Sequence, residues 1–116
     1  MNFKFINTEY LDTVSGGDKE ILAEFAAIFR SQVIEIASEM RTLHESDDFH
    51  SLGMLAHKAK SSVAIMGMKD LADMLKTFEL EGKDGKNKES YKSYIERYER
   101  EAMLAVVELE NYINNL

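Results

Sequence analysis

Apolar residues recur along most of this chain at steps of three and four, the period that places them on one face of an α-helix. From Asp18, a suitable N-cap, the series Ile21, Leu22, Phe25, Ile28, Phe29, Val33, Ile36, Met40 and Leu43 predicts a first long helix. Glu45-Ser46-Asp47-Asp48 supplies a loop and the next cap, and a second helix is expected from about Phe49 to Met66, where Gly67 ends it. A third follows from about Lys69 to Glu81. The run Gly82-Lys83-Asp84-Gly85-Lys86-Asn87-Lys88 then predicts a bundle turn, too short for an interdomain linker. In the last segment Tyr91, Ile95, Tyr98, Ala102, Ala105, Leu109, Tyr112 and Leu116 form a seam of the same spacing. Ahead of these, Phe3, Phe5, Ile6, Tyr10, Leu11 and Val14 precede Ser15-Gly16-Gly17, which predicts a short helix closed by glycine and lying over one end of the bundle. No alternating pattern predicts a strand pair, and no internal repeat is present. The expected fold is all-α, an antiparallel four-helix bundle with a short additional N-terminal helix, in one domain spanning residues 1–116.

Composition narrows the function classes. A chain of 116 residues with 45% hydrophobic content has enough apolar surface for one core without staples. With no cysteine there is no disulfide framework, thiolate metal site or cysteine nucleophile. The net charge of -7 opposes binding to nucleic acid or to an anionic membrane, since both call for a basic footprint. No stretch approaches the roughly eighteen apolar residues of a spanning helix. The N-terminus MNFKFINTEYLDTV lacks the apolar core of a secretory signal. A cytoplasmic, monomeric protein is expected, and a fold that starts just after Met1 favours a stand-alone chain.

Candidate chemistry gathers around His57. At about 100° per residue, Leu52, Leu55, Ala59, Val63 and Met66 project to an arc roughly opposite His57, so the imidazole points to solvent. Within about 60° of it by the same projection lie Gly53, Met54, Lys60, Ser61, Ala64 and, if the helix persists, Met68. Gly53, Ser61 and Ala64 are small, so another protein can bring a bulky reactive group up to the ring. Met54 and Met68 would make an adaptable apolar rim, which Ile6 and the N-terminal aromatics would extend. Residues 57–76 hold Lys58, Lys60, Lys69 and Lys76 against Asp70 and Asp73, a net +2, leaving -9 for the remainder of the chain. Such an island is often only a solvated face; beside an exposed histidine it also suits arriving negative charge.

Other polar positions carry plainer readings. Gln32 interrupts an apolar face between Phe29, Val33 and Ile36, where a buried amide usually makes a helix-helix hydrogen bond; it could also orient the second nitrogen of His57. His44 and His50 lack the i, i+4 partner of a helical metal pair, so surface positions and no metal site are expected. Met40, Met66, Met103 and the tyrosines of the last helix read as core.

The run Ala56-His57-Lys58-Ala59-Lys60-Ser61-Ser62-Val63-Ala64-Ile65-Met66-Gly67, followed by Leu71, resembles the motif of histidine-containing phosphotransfer (HPt) domains. That pattern has a histidine, a lysine three positions on, a small residue next, a glycine ten positions after the histidine and then a leucine; His57, Lys60, Gly67 and Leu71 match it. Ser61 stands where the family usually has glycine, which preserves close approach with a tighter fit or an added hydroxyl. The helix lengths and the Gly16-Gly17-Asp18 entry are also similar to that family's layout, and the position of Gln32 resembles one where many members carry a polar residue. The resemblance implies a phosphorelay intermediate whose His57 accepts a phosphoryl group from an aspartyl phosphate on one response-regulator receiver and passes it to another. It implies receivers, and a hybrid histidine kinase, as partners.

An imidazole suits this role because one ring nitrogen keeps its lone pair near neutral pH. Phosphoryl transfer passes through a loose transition state, so positioning and charge compensation dominate. The expected roles are His57 as nucleophile through Nε2, Lys60 compensating phosphoryl charge and Lys58 assisting from the flank. No nucleotide-binding loop motif is visible, so a carrier without its own ATP site or bound cofactor is expected, with Mg2+ supplied by the partner receiver. Two alternatives are a phosphorylation-independent helical adaptor for a receiver or kinase domain and a histidine-dependent hydrolase or metal enzyme. The second lacks a convergent cluster of carboxylates and histidines in the sequence.

Overall fold

The computed structural model describes residues 3–116 of the chain. Local capping chemistry divides it into helices. The Asn7 side chain accepts the Tyr10 N–H (3.0 Å) to start α1, Thr8–Ser15. Asp18 accepts the Glu20 N–H (2.8 Å) ahead of α2, Lys19–Glu45, and Asp48 accepts the Ser51 N–H (3.3 Å) ahead of α3, Phe49–Ile65. α4, Lys69–Asp84, starts from Met68 with no side-chain cap, and a 3-10 turn at Lys88–Ser90 leads into α5, Tyr91–Asn114. The described residues contain no strand. Short connections make consecutive helices antiparallel, and the molecule measures 44 × 20 × 19 Å, an elongated bundle of α2 to α5 with α1 added. No helix is long and apolar enough to cross a membrane among the described residues.

The turn expected at Gly82–Lys88 is shorter than the sequence suggests. Gly82, Lys83 and Asp84 remain helical, and the helix ends at Gly85, whose φ of 66° is the left-handed conformation that a terminating glycine adopts without steric cost. Gly82 has another task, described below.

The core runs the length of the bundle, with Leu22, Phe29, Val33, Ile36 and Met40 of α2 facing Leu52, Ala59 and Val63 of α3, Leu71, Leu75 and Phe78 of α4, and Tyr91, Tyr98, Ala102 and Leu109 of α5. Met66 is also buried, and Met103 packs partly buried against this core. Two residues of the expected α2 stripe fall outside it: Ile21 and Ile28 are exposed. At about 100° per residue they lie roughly 120° and 140° round the helix from Val33, beyond the width of a core face.

Ahead of α1 the chain is tied down by one side chain. The Glu108 carboxylate of α5 accepts the backbone N–H groups of Lys4 (2.9 Å), Phe5 (2.8 Å) and Ile6 (3.1 Å). This seats Ile6 in the core, and Phe3 packs edge-on against Tyr112. These residues therefore close an end of the bundle, and Ile6 does not extend an exposed rim around His57. The tyrosines divide: Tyr91 and Tyr98 are buried, while Tyr94 and Tyr112 are half-buried. Tyr91 Oη donates to the Glu81 carbonyl (2.7 Å), and the half-buried Tyr112 donates to Asp12 (2.7 Å). The Tyr98 hydroxyl is buried with no hydrogen-bond partner among the described residues, and burial pushes its pKa up. An unpaired buried hydroxyl keeps its full desolvation cost. Tyr98→Phe is therefore expected to raise stability, by about 1 kcal/mol, as a higher urea midpoint at unchanged m-value.

Candidate functional site

His57 sits in the middle of α3, on the side opposite its core residues. Its side chain is 56% exposed, as the helical projection predicts. One ring nitrogen is engaged: Nδ1 lies 2.9 Å from Oε1 of Glu79 on the neighbouring α4. Glu79 is a buried residue, with a side chain only 10% exposed. Its pKa is held down at about 2, first by the hydrogen bond from Lys83, against the opposing effect of burial, and then by those from His57 and Lys60. The group is therefore an anion at neutral pH and can only accept. Nδ1 must carry the proton it donates, which leaves the lone pair of a neutral ring on Nε2.

The contact needs α3 and α4 unusually close. Two glycines allow it, Gly53 one turn before His57 and Gly82 one turn after Glu79. A Cβ on Gly53 would stand 2.7 Å from the Glu79 carbonyl oxygen and 2.8 Å from the Lys83 nitrogen. A Cβ on Gly82 would stand 2.9 Å from Gly53 Cα and 3.0 Å from the Phe49 carbonyl oxygen. The obstructing atoms are mostly backbone and cannot rotate away. Gly53 was expected on an open approach surface; it is buried against α4, because the face nearest the histidine is also the face on which the helices cross.

Around Glu79 the structure collects two cations. Lys60 Nζ lies 3.4 Å from Oε1, and Lys83 Nζ lies 2.8 Å from Oε2, so Oε1 is shared between Lys60 and His57 while Oε2 belongs to Lys83. Lys58 is exposed and lies with Gln32, Ser61, Ser62 and Ile65 around a shallow groove between α2 and α3. Ser61 and Ala64 are exposed, and the Ser61 hydroxyl donates back to the His57 carbonyl at 3.4 Å. Met54 is 56% exposed.

Two further expectations are corrected, for Met68 and for the basic island, and of the two readings of Gln32 the helix-helix hydrogen bond is the one observed. Met68 is buried, because α3 ends at Ile65 and the chain turns inward through Gly67, so it contributes nothing to an exposed rim. Gly67 makes that turn at φ 77°, with the Asn7 side chain against it. Gln32 does not orient His57: its Oε1 accepts from the Ser62 hydroxyl at 2.8 Å, a bond between α2 and α3. The basic island also disperses, since Lys69 lies with Lys4, Arg97 and Arg100 along a separate groove of about 520 Å³. His50 is exposed and His44 half-buried beside Phe49. Among the described residues no three histidine or acidic side chains converge as a metal site.

Glu79 and Lys83 were not foreseen from the sequence, because the projection around His57 covers only the neighbours on its own helix and both lie on α4. A signal existed. Leu71, Met74, Leu75, Phe78 and Gly82 trace the buried face of α4, and Glu79 falls in the same register. An acid at a core position demands a partner.

Two outcomes follow from this arrangement. Gly53→Ala is expected to destabilise the bundle by about 1–3 kcal/mol in urea unfolding and to shift the His57 ring signals in NMR, as α4 is pushed away. Because the folded-state pKa of Glu79 lies below its ordinary value of 4.5, its contribution to stability is complete above about pH 4.5 and is lost as pH falls toward 2. Urea midpoints measured across that window are expected to fall less steeply in Glu79→Gln than in the wild type.

A protein-family model described as "Hpt domain" matches residues 24–116, the part of the chain that contains most of α2 and all of α3 to α5. No curated protein and no solved structure gives a significant match to the chain.

Proposed function

The chain belongs to the Hpt domain family, whose members transfer phosphoryl groups through a histidine in phosphorelays, and from that premise we propose that His57 is its phosphoryl-accepting residue. The observation that carries the proposal is the contact between His57 Nδ1 and the buried Glu79 carboxylate: the anion accepts a hydrogen bond from Nδ1–H, which leaves Nε2 of the exposed ring as the nucleophilic nitrogen. Its donor is an aspartyl phosphate on one response-regulator receiver and its acceptor the free aspartate of another, with a hybrid kinase as one source of such a receiver. The chain acts as a carrier without an ATP site of its own, in the cytoplasm, as a monomer.

In the transfer, the Nε2 lone pair attacks phosphorus as the bond from phosphorus to the aspartyl oxygen breaks, and that electron pair returns to the partner's carboxylate. The ring then holds both the Nδ1 proton and the phosphoryl group and carries positive charge, which Glu79 faces directly. Neutralising the ring in this way favours the phosphorylated state, while retention of the proton keeps the imidazole a competent leaving group for the return step. Lys60 compensates the phosphoryl oxygens, and Lys58 assists from the flank. Met54, Ser61 and Ala64 border the approach of the receiver, which supplies Mg2+ and the aspartate. Gly53 and Gly67 serve the site indirectly, through the helix crossing and the turn.

Incubation with a radiolabelled phospho-receiver is expected to place acid-labile, alkali-stable label on His57. His57→Gln is expected to keep receiver binding and lose all label. Label on another residue, or downstream signalling that is unaffected by His57→Gln, would overturn the assignment, and the second result would instead favour an adaptor.

A further inference from the structure

The family reading accounts for His57 and Lys60 but gives no task to Lys83, which makes the shorter of the two lysine contacts to Glu79. Resting on that reading, we propose that Lys83 is a positioning residue for the transfer: it retains Glu79 through Oε2, so that Lys60 can leave Oε1 for the incoming phosphoryl group without releasing His57.

The geometry separates the two lysines by task. Lys83 lies one turn after Glu79 on the same helix, an i, i+4 pair that does not depend on how α3 and α4 sit. Lys60 belongs to the histidine's helix, one turn from His57, and reaches Glu79 across the helix crossing at a marginal 3.4 Å. A charge-assisted hydrogen bond is normally nearer 2.8 Å, so Lys60 gives up little on leaving. Its side chain is 26% exposed, which leaves it a path toward solvent, where Nε2 points.

Charge bookkeeping indicates why two cations are needed. Before transfer the neutral ring, Glu79, Lys60 and Lys83 sum to +1. On transfer the ring becomes positive and the phosphoryl group carries two negative charges, so the sum falls to zero, and the phosphoryl oxygens require a cation of their own. If Lys60 were the sole lysine at Glu79, moving it before the ring gains its charge would leave a buried carboxylate opposite a neutral imidazole with no cation, a costly state. With Lys83 in place Glu79 keeps a full cation throughout, and the Nδ1–H bond that holds the ring persists. Without Lys83, the only lysine left for Glu79 is Lys60, which is then retained there. Loss of Lys83 should therefore resemble loss of Lys60.

The test uses the full chain and a small phosphoryl donor, potassium phosphoramidate. The imidazole nitrogen attacks phosphorus and ammonia leaves, so no partner protein is required. Phosphorylation of His57 is followed by 31P NMR in the wild type, Lys60→Met, Lys83→Met, Lys83→Arg and the double methionine variant. Each single methionine variant is expected to react about tenfold more slowly, the equivalent of one charge-assisted contact, and the double variant also about tenfold rather than a hundredfold. Lys83→Arg is expected to stay within about twofold of wild type. In parallel, 15N shifts of the unphosphorylated ring report the tautomer: the Nδ1–H form in wild type and Lys83→Arg, and a mixture in Lys83→Met as Glu79 turns toward Lys60. A Lys83→Met variant with wild-type rate and tautomer would overturn the proposal, as would single effects that multiply in the double variant. If wild-type His57 takes no label, the carrier reading fails, and the tautomer comparison still decides the role of Lys83 at Glu79.

Discussion

Everything distinctive about this bundle depends on the place where α3 meets α4 with no side chain between them. Gly53 and Gly82 face each other there so closely that a methyl group on either would strike backbone atoms under or near 3 Å away. Ordinary bundle helices are held 8–10 Å apart by the side chains at their contact, and removing those side chains lets the axes approach further. The approach has a chemical consequence within one turn on either helix, because it brings the Glu79 carboxylate to His57 Nδ1. The glycines lose conformational entropy on folding and weaken their helices. The sequence tolerates that weakness in α4 because Leu71, Leu75 and Phe78 anchor the same helix in the core.

From that crossing follows the electrostatics. A carboxylate that is largely removed from water would ordinarily favour its neutral form, yet Glu79 is driven the other way by Lys83, His57 and Lys60. Its charge then dictates which nitrogen of His57 bears the proton. A decision about reactivity at an exposed atom is thus made by a buried group on a different helix. The low exposure of Glu79 makes the effect persistent, since screening by salt acts weakly on such pairs. By contrast, Arg30–Glu110 and Arg41–Glu99, which link α2 to α5, lie near the surface and contribute little beyond register.

The other end of the molecule follows the same economy of means. One carboxylate, Glu108, gathers three successive backbone N–H groups that would otherwise have no helix to satisfy them, and so turns an irregular N-terminal stretch into the bundle's closure. Asn7 then caps α1 and lies against Gly67, joining this closure to the turn that ends α3. The α3–α4 turn, which begins where α3 ends, eight residues and about 12 Å along the axis from His57, is therefore held from outside as well as from within.

The amphipathic period, the caps at Asp18 and Asp48 and the lack of proline determined the helices and their order, because those are interactions among residues a few positions apart. The outward direction of His57 was legible for the same reason: a helix of known pitch places every residue relative to its neighbours. Gly53 and Met68 were misjudged, since a projection of one helix shows neither where a second helix lies against it nor where the chain turns inward. Glu79 and Lys83 stand 22 and 26 residues beyond His57, and nothing local joins them to it. Only the packing of α4 on α3, decided by which faces bury together and how closely two glycines let backbones come, made them neighbours of the imidazole.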